Sequence, residues 1–214
     1  MVGAMWVIHI VNAFLFGGHL SALGVHPRSL FGLVGILFAP FLHGSFAHLL
    51  ANTFPLLILG GLVMQRRRGD LLRVGALSAL VGGLGTWLIA PGNSVHLGAS
   101  VLVFGYLGYL LLRGYFERHW LSVLGSVVVF FAFGGALWGI LPGQPGISWQ
   151  MHFFGLLGGI LAAKLMAGRP ELPDSPAGRR VAELPGKRSR LAPTPVDEEF
   201  EVDEELERLR RMRR

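Results

Sequence analysis

Six apolar runs, separated by short polar connections, constrain the fold of this 214-residue chain more than any other feature. The runs cover residues 5–24, 45–64, 71–90, 98–113, 119–140 and 149–167. Their lengths approach the roughly 20 apolar residues that a helix needs to cross the hydrocarbon core of a bilayer. A positive mean hydropathy and 31 glycines are also typical of closely packed membrane helices. The sequence therefore predicts an all-α, polytopic membrane protein with six transmembrane helices.

The first connection, residues 25–44, contains a second apolar stretch over 30–42. This stretch is shorter than a membrane span, so we expect an interfacial or re-entrant segment in the outer leaflet. A distorted extension of the second span is the alternative that the sequence leaves open.

Charged residues are scarce before residue 170 and lie near the ends of the apolar runs. Residues 1–169 contain nine basic side chains and two acidic ones, Asp70 and Glu117, and no carboxylate lies within a run. This pattern argues against an aspartate dyad and against zinc chemistry of the His-Glu-x-x-His type. The absence of cysteine excludes a thiol nucleophile and a disulfide framework. The basic residues border apolar runs and form no stripe, which argues against a nucleic-acid partner.

The distribution of basic residues predicts the orientation in the membrane. Those of the second and fourth connections and of the final exit are Arg66, Arg67, Arg68, Arg73, Arg113, Arg118, Lys164 and Arg169. The odd-numbered connections contain only Arg28. Because cytoplasmic loops are enriched in arginine and lysine, both termini are predicted to be cytoplasmic. The second, fourth and sixth runs then enter the membrane from outside.

The composition changes after the sixth run. The last 45 residues carry 10 basic and 11 acidic side chains together with several prolines. We expect residues 1–168 to form the membrane domain and residues 169–214 a cytosolic charged tail, largely disordered. Within it, 196–214 places acids first and arginines last, which favours a terminal helix.

Polar residues lie at or just before the beginning of the same three runs. His43, His48 and Asn52 accompany the second run, Ser100 the fourth and His152 the sixth. Since these runs enter from one side, the five side chains are expected at similar depth. Polar groups at membrane depth are costly unless they have partners or water, so one water-accessible cavity that opens outward is predicted.

The residue types in this cavity suggest nucleophilic catalysis. A serine hydroxyl needs a base to take its proton, and a neutral histidine is the usual partner. We expect Ser100 to be the nucleophile and His152 the base. Free N–H groups at the start of the fourth helix, with side-chain donors from His48 and Asn52, could stabilise an oxyanion. Phe104, one turn after Ser100, could stack beside the imidazole.

These motifs resemble those of the rhomboid intramembrane serine proteases. The patterns His-x4-His-x3-Asn, Gly-x-Ser and His-x2-Gly-x3-Gly match His43, His48, Asn52, Gly98, Ser100, His152, Gly155 and Gly159. The resemblance covers residues 5–168 and implies a rhomboid-like six-helix bundle with a Ser-His dyad. It also implies that His48, Asn52 and the Ser100 N–H cradle the oxyanion, and that neither a cofactor nor a metal is needed.

The resemblance further implies partners and a location. Rhomboid substrates are typically single membrane helices that are cut near the outer face, so transmembrane proteins and the lipid bilayer are the expected partners. A bacterial plasma membrane is the expected site of action. The oligomeric state is not readable from the sequence. Gly155 and Gly159 are expected to let the sixth span approach the fourth closely.

The chain departs from the family pattern in three places. Val101 stands where a glycine usually follows the serine, and a branched side chain there could narrow the cavity or shift the oxyanion donor. Phe104 replaces a common tyrosine. The tryptophan-arginine pair of the first loop is missing, unless Pro27 and Arg28 partly replace it.

Two other functions compete with the protease. One is a catalytically inactive rhomboid-like protein that binds transmembrane helices, with Val101 as its best argument. The other is a proton-coupled transporter with a histidine relay, which the lack of intramembrane acids disfavours. The remaining histidines have no comparable spacing and are expected at interfaces or in loops, and His96 could line the cavity entrance; they are His9, His19, His26, His96 and His119.

Overall fold

The structure is a computed structural model that describes residues 1–65 and 67–167. This part of the chain contains seven α-helices and no strand beyond one isolated bridge. The helices are α1 (Val2–Leu15), α2 (Leu30–Phe38), α3 (Phe46–Met64), α4 (Asp70–Ile89), α5 (Ser100–Glu117), α6 (Trp120–Phe133) and α7 (Trp149–Met166). Short 3-10 helices cover His19–Leu23, Ala39–Phe41 and Gly134–Ile140. The predicted tail, 169–214, lies outside the described residues.

The all-helical expectation is confirmed within the described residues. Each apolar run overlaps one of the helices α1 and α3 to α7, with ends that differ by a few residues, and α2 forms from the extra stretch in the first connection. Extended backbone at Leu42 and Ser45 separates α2 from α3, so α2 is not an extension of α3. Three segments, Phe46–Met64, Asp70–Ile89 and Trp120–Ile140, are long and apolar enough to cross a membrane. The number of six spans stays a prediction.

The first run differs from the expected continuous helix over 5–24. Helix α1 ends at Leu15, and the next glycines, Gly17 and Gly18, adopt left-handed backbone with φ of 55° and 87°. Asn12 stabilises this end, because its carbonyl accepts the Gly18 N–H at 2.9 Å and its Oδ1 accepts the Leu20 N–H at 2.9 Å. These bonds replace further α-helical bonds, so the run continues as a 3-10 turn.

Helix α5 lies at the centre of the bundle and packs against α3, α4, α6 and α7. Every residue over 100–110 is buried. A Cβ atom at Gly159 of α7 would overlap the carbonyl oxygen of Gly105, and one at Gly155 would lie 2.7 Å from the carbonyl oxygen of Val101. The backbones of α5 and α7 therefore touch, and only glycine leaves room for this contact.

Backbone hydrogen bonds join the first connection, residues 25–44, to the segment that leads into α5. Val25 and His96 exchange backbone hydrogen bonds of 2.8 and 3.0 Å, and the Gly98 N–H donates to the Ala39 carbonyl at 2.9 Å. The Arg28 guanidinium donates to the carbonyl of Ala90 at 2.8 Å, at the end of α4. The beginning of α5 is thus docked on residues that precede α3.

The side chain of Val101, in the first turn of α5, packs against α4 and α7. Its side chain is 1% exposed. A Cβ at Gly82 of α4 would overlap Val101 Cγ2, and one at Gly155 would lie 3.2 Å from the same methyl. Two glycines on neighbouring helices therefore accommodate the valine.

We predict that Gly82→Ala destabilises the protein by about 1–3 kcal/mol, because the new methyl meets a packed valine. Adding Val101→Ala should recover much of this loss, since it removes the colliding methyls. Gly61→Ala in α3 is the matched control, because a Cβ there meets open space, and it should be neutral or slightly stabilising. Thermal unfolding in detergent measures all three. A double variant no more stable than Gly82→Ala alone would contradict the packing described here.

Candidate active site

Ser100 is the first residue of α5 and is 7% exposed. Gly98, two residues earlier, has a φ of +126° that side chains other than hydrogen rarely permit. A Cβ at Gly98 would lie 2.7 Å from Cε1 of His48 and 3.6 Å from Oγ of Ser100. Gly98 therefore lets the imidazole of His48 and the hydroxyl of Ser100 border one small space.

His48 and Asn52 lie on one face of the first turns of α3. The N-cap Ser45 starts the helix, because its Oγ accepts the His48 N–H at 3.1 Å. The Asn52 Nδ2 group donates to the His48 carbonyl at 3.1 Å. An amide nitrogen carries two N–H bonds, so the second is available to another acceptor. Both side chains can thus offer donors at the end of the bundle that carries Ser100.

The imidazole of His43 stabilises the turn that precedes Ser100. Its ring is 1% exposed, and Nε2 accepts the backbone N–H of Ala99 at 3.2 Å. Burial lowers the pKa of His43, and the nearby imidazoles of His48 and His9 lower it further. The neutral ring that can accept this N–H is therefore favoured.

His152 is held by two contacts in the first turn of α7. Its Nδ1 donates to the carbonyl oxygen of Gly139 at 3.0 Å, and its ring stacks on Phe104 with centroids 4.2 Å apart and planes 13° apart. Since a carbonyl only accepts, the proton of the neutral imidazole lies on Nδ1. Nε2 then carries the lone pair that a general base requires.

Phe104 also places this imidazole relative to Ser100. The two residues are four apart on α5 and so share a face, and the ring of His152 covers Phe104 on that face. Among hydrogen bonds between described residues, none joins Ser100 to His152. Catalytic hydrogen bonds are often long before substrate binds. Ser100 and His152 therefore stay the candidate nucleophile and base although no hydrogen bond joins them.

The carboxylates of the described residues are engaged elsewhere. Asp70 pairs with Arg73 at 3.3 Å, and Glu117 pairs with Arg113 at 2.8 Å. The Gly139 carbonyl therefore stands where serine hydrolases usually place an acid beside the histidine. Within 1–65 and 67–167, no group of three or more His, Cys, Asp or Glu side chains could hold a metal ion.

The positions of two residues near the site, Gly139 and His9, do not follow from the sequence. Gly139 contributes a backbone oxygen, which no residue pattern reveals. His9 was expected at an interface or in a loop, which is wrong, because it lies in α1 with 5% exposure and packs edge-on against Phe46 at 4.5 Å. Its position within an apolar run was the available signal. Gly155 and Gly159 pack α7 against α5 and make no polar contribution to the site.

Comparison with known proteins identifies the family of this chain. The model of the rhomboid domain matches residues 30–169. An uncharacterised protein of Mycobacterium bovis is 39% identical over 174 residues, which cover 78% of this chain and 72% of that protein. A Bacillus subtilis protein named "Putative rhomboid protease YdcA" is 31% identical over 134 residues, covering 61% of this chain and 65% of that protein. The chain therefore belongs to the rhomboid family, whose members are polytopic membrane proteins.

Proposed function

We propose that this protein is an intramembrane serine endopeptidase that hydrolyses peptide bonds of membrane-anchored proteins near the outer leaflet. Ser100 is the nucleophile and His152 the general base, and no cofactor takes part. Membership of the rhomboid family supports this proposal, as does the similarity to a Bacillus protein whose name describes a rhomboid protease.

The arrangement of His152 carries the proposal. Its Nδ1–H is committed to the Gly139 carbonyl, its ring is fixed on Phe104, and its Nε2 lone pair is free. An imidazole in this tautomer, above the helix face that begins with Ser100, is what the activation of a serine hydroxyl requires.

The reaction follows from these positions. As Ser100 Oγ attacks the substrate carbonyl carbon, its proton passes to His152 Nε2, and a tetrahedral oxyanion forms. When the C–N bond breaks, the imidazolium gives its proton to the leaving nitrogen, and an acyl-enzyme remains. Water, deprotonated by the same Nε2, then attacks the ester carbonyl. As the ester C–O bond breaks, the imidazolium returns this proton to Ser100 Oγ, which releases the new carboxyl end and regenerates the serine.

Three groups are proposed to stabilise the oxyanion. The Ser100 N–H lies at the start of α5, where no intrahelical acceptor exists for it and the helix dipole is positive. His48 borders the same space through Gly98, and Asn52 follows one turn later on α3. Donors that are already in place cost little reorganisation as the negative charge develops.

The proposed orientation places this site toward the outside. Helices α3, α5 and α7 all begin at the end of the bundle that carries the site, whereas Arg67, Arg68 and Arg73 lie at the connection between α3 and α4, at the other end. The positive-inside rule then assigns the arginine end to the cytoplasm. With six spans, both termini are cytoplasmic in a bacterial plasma membrane.

The second candidate is an inactive rhomboid-like protein that binds transmembrane helices. The observation in its favour is that no hydrogen bond between described residues links Ser100 to His152. Val101, its other argument, weighs less, because its side chain is packed between α4 and α7.

We predict that purified full-length protein in detergent reacts with a fluorophosphonate probe at Ser100 and cuts a single-span model substrate. Ser100→Ala should abolish both reactions, and His152→Ala should slow labelling by about 10²–10⁴-fold, because the general base is lost. Ser126→Ala is the matched control, since the Ser126 hydroxyl donates to the Leu110 carbonyl at 2.7 Å in a structural role. If folded wild type neither reacts nor cuts but retains helix binding, the second candidate takes the place of the protease.

We also predict that Asn52→Ala lowers kcat by about 10²–10³-fold with little change in KM, because an oxyanion donor acts mainly in the transition state. Thr53→Val is its control. Both residues donate to the carbonyl four residues earlier, Asn52 to His48 at 3.1 Å and Thr53 to Leu49 at 2.8 Å. Thr53 lies about 100° around α3 from Asn52. Its hydroxyl also accepts the Trp6 indole N–H at 3.1 Å, so Thr53→Val removes more structural bonding than Asn52→Ala does. Cleavage kinetics in proteoliposomes measure the difference. Equal losses of kcat in both variants would point to a structural cause.

A further inference from the structure

His96 is a buried residue that connects the segment before Ser100 with the beginning of α7, the helix that carries His152. It lies in the segment between α4 and α5, is 7% exposed, and its backbone is paired with Val25. Its ring has a partner on each side. Nδ1 lies 2.6 Å from the hydroxyl of Ser148, and Nε2 lies 2.8 Å from the hydroxyl of Ser94.

The direction of these hydrogen bonds can be assigned. The Ser94 hydroxyl donates to the Pro91 carbonyl, so it accepts from Nε2–H of His96. In a neutral ring Nδ1 then carries the lone pair and accepts the Ser148 hydroxyl proton. Burial lowers the pKa of His96, and the imidazole of His26 lowers it further, which favours the neutral form. The Ser148 oxygen also accepts the Met151 N–H at 3.4 Å. The hydroxyls and the imidazole in this series of hydrogen bonds therefore all have partners.

Ser148 connects this chain of hydrogen bonds to His152. It is the N-cap of α7, and its carbonyl accepts the His152 N–H at 3.1 Å. A shift of Ser148 therefore moves the first turn of α7, on which the imidazole of His152 is carried.

On the other side, His96 is four residues from Ser100. Between them, the Gly98 N–H donates to the Ala39 carbonyl, and the Ala99 N–H donates to His43 Nε2. These two bonds restrict the movement of the segment. Among hydrogen bonds between described residues, the bond from Ser148 to His96 is the one that joins the segment leading into α5 with α7.

We propose that His96 is a positioning residue that, through Ser148, sets the placement of His152 relative to Ser100. This inference rests on the proposed protease function. Helix packing by glycines sets the distance between α5 and α7, but it leaves sliding and rotation of the first turn of α7 less constrained. A directional bond at the N-cap restricts both, and misplacement of a reacting group by about 1 Å can cost about 10²-fold in rate.

Two polar replacements of His96 distinguish the contact of Nδ1 with Ser148 from the contact of Nε2 with Ser94. The asparagine of His96→Asn places an oxygen near the position of Nδ1 and can keep the bond to Ser148. The glutamine of His96→Gln places its amide near Nε2, so it keeps the contact with Ser94 and loses the bond to Ser148. Ser148→Thr retains both the hydroxyl and the cap, whereas Ser148→Ala removes the same link from the other end.

The activity test measures fluorophosphonate labelling of Ser100 on the full chain in detergent. For His96→Gln and Ser148→Ala we expect the maximal labelling rate to fall by about 10–10²-fold, while half-saturation by the probe changes less than about twofold. His96→Asn and Ser148→Thr should stay within about threefold of wild type. A loss of fold would instead lower the melting temperature and reduce the reactive fraction. Because Ser148→Ala also removes the cap on the Met151 N–H, Ser148→Gly, which keeps most of the stability of a capped helix and still lacks the hydroxyl, decides the comparison if His96→Gln does not yield folded protein.

An NMR measurement keeps this inference distinct from the protease function. In wild type, ¹⁵N resonances of His96 should report a proton on Nε2, and Ser148→Ala should shift the Nδ1 resonance. The ring resonances of His152 should move in His96→Gln and remain close to wild type in His96→Asn. Unchanged His152 resonances in His96→Gln, or labelling as fast as wild type, would overturn the positioning role. Wild type that is never labelled would end the protease proposal, and the His152 resonances would then decide the role of His96.

Discussion

The contact between the backbones of α5 and α7 is the constraint on which the site depends. Gly159 lies on the carbonyl of Gly105, and Gly155 lies on that of Val101, so the two backbones touch at these two points. Lipid provides little hydrophobic drive for helices to associate, and close van der Waals contact of small residues takes its place. The first turns of α5 and α7 are thereby neighbours, and these turns carry Ser100 and His152.

Backbone groups satisfy much of the polar chemistry around this contact. The Gly139 carbonyl accepts from His152, the Ala99 N–H donates to His43, and the His48 carbonyl accepts from Asn52. A carboxylate would carry a charge that is costly to bury in a bilayer, whereas a carbonyl fixes the imidazole tautomer without one. A carbonyl partner is thus compatible with the base role proposed for His152 in a chain whose described carboxylates pair with arginines.

Val101 illustrates how a sequence departure is absorbed by its neighbours. From the sequence alone, a branched residue after Ser100 suggested a narrowed cavity. Its methyls instead fill a space left by Gly82 and Gly155 on two other helices. A position judged only against its own motif is incomplete evidence of lost activity, because its partners lie about 20 and 50 residues away in the chain and are set by packing.

The sequence by itself predicted the all-helical class, which the described residues confirm, and a short set of candidate site residues. Run length decides helix formation, and spacing decides which side chains share a face, as for His48 with Asn52 and Ser100 with Phe104. The end of α1 at Leu15 and the burial of His9 were decided by contacts along and between helices. The contacts of the Gly139 carbonyl and of His96, from which their roles are proposed, likewise depended on tertiary structure. Backbone oxygens are the same in every residue, and a loop histidine acquires its partners only when distant segments pack together.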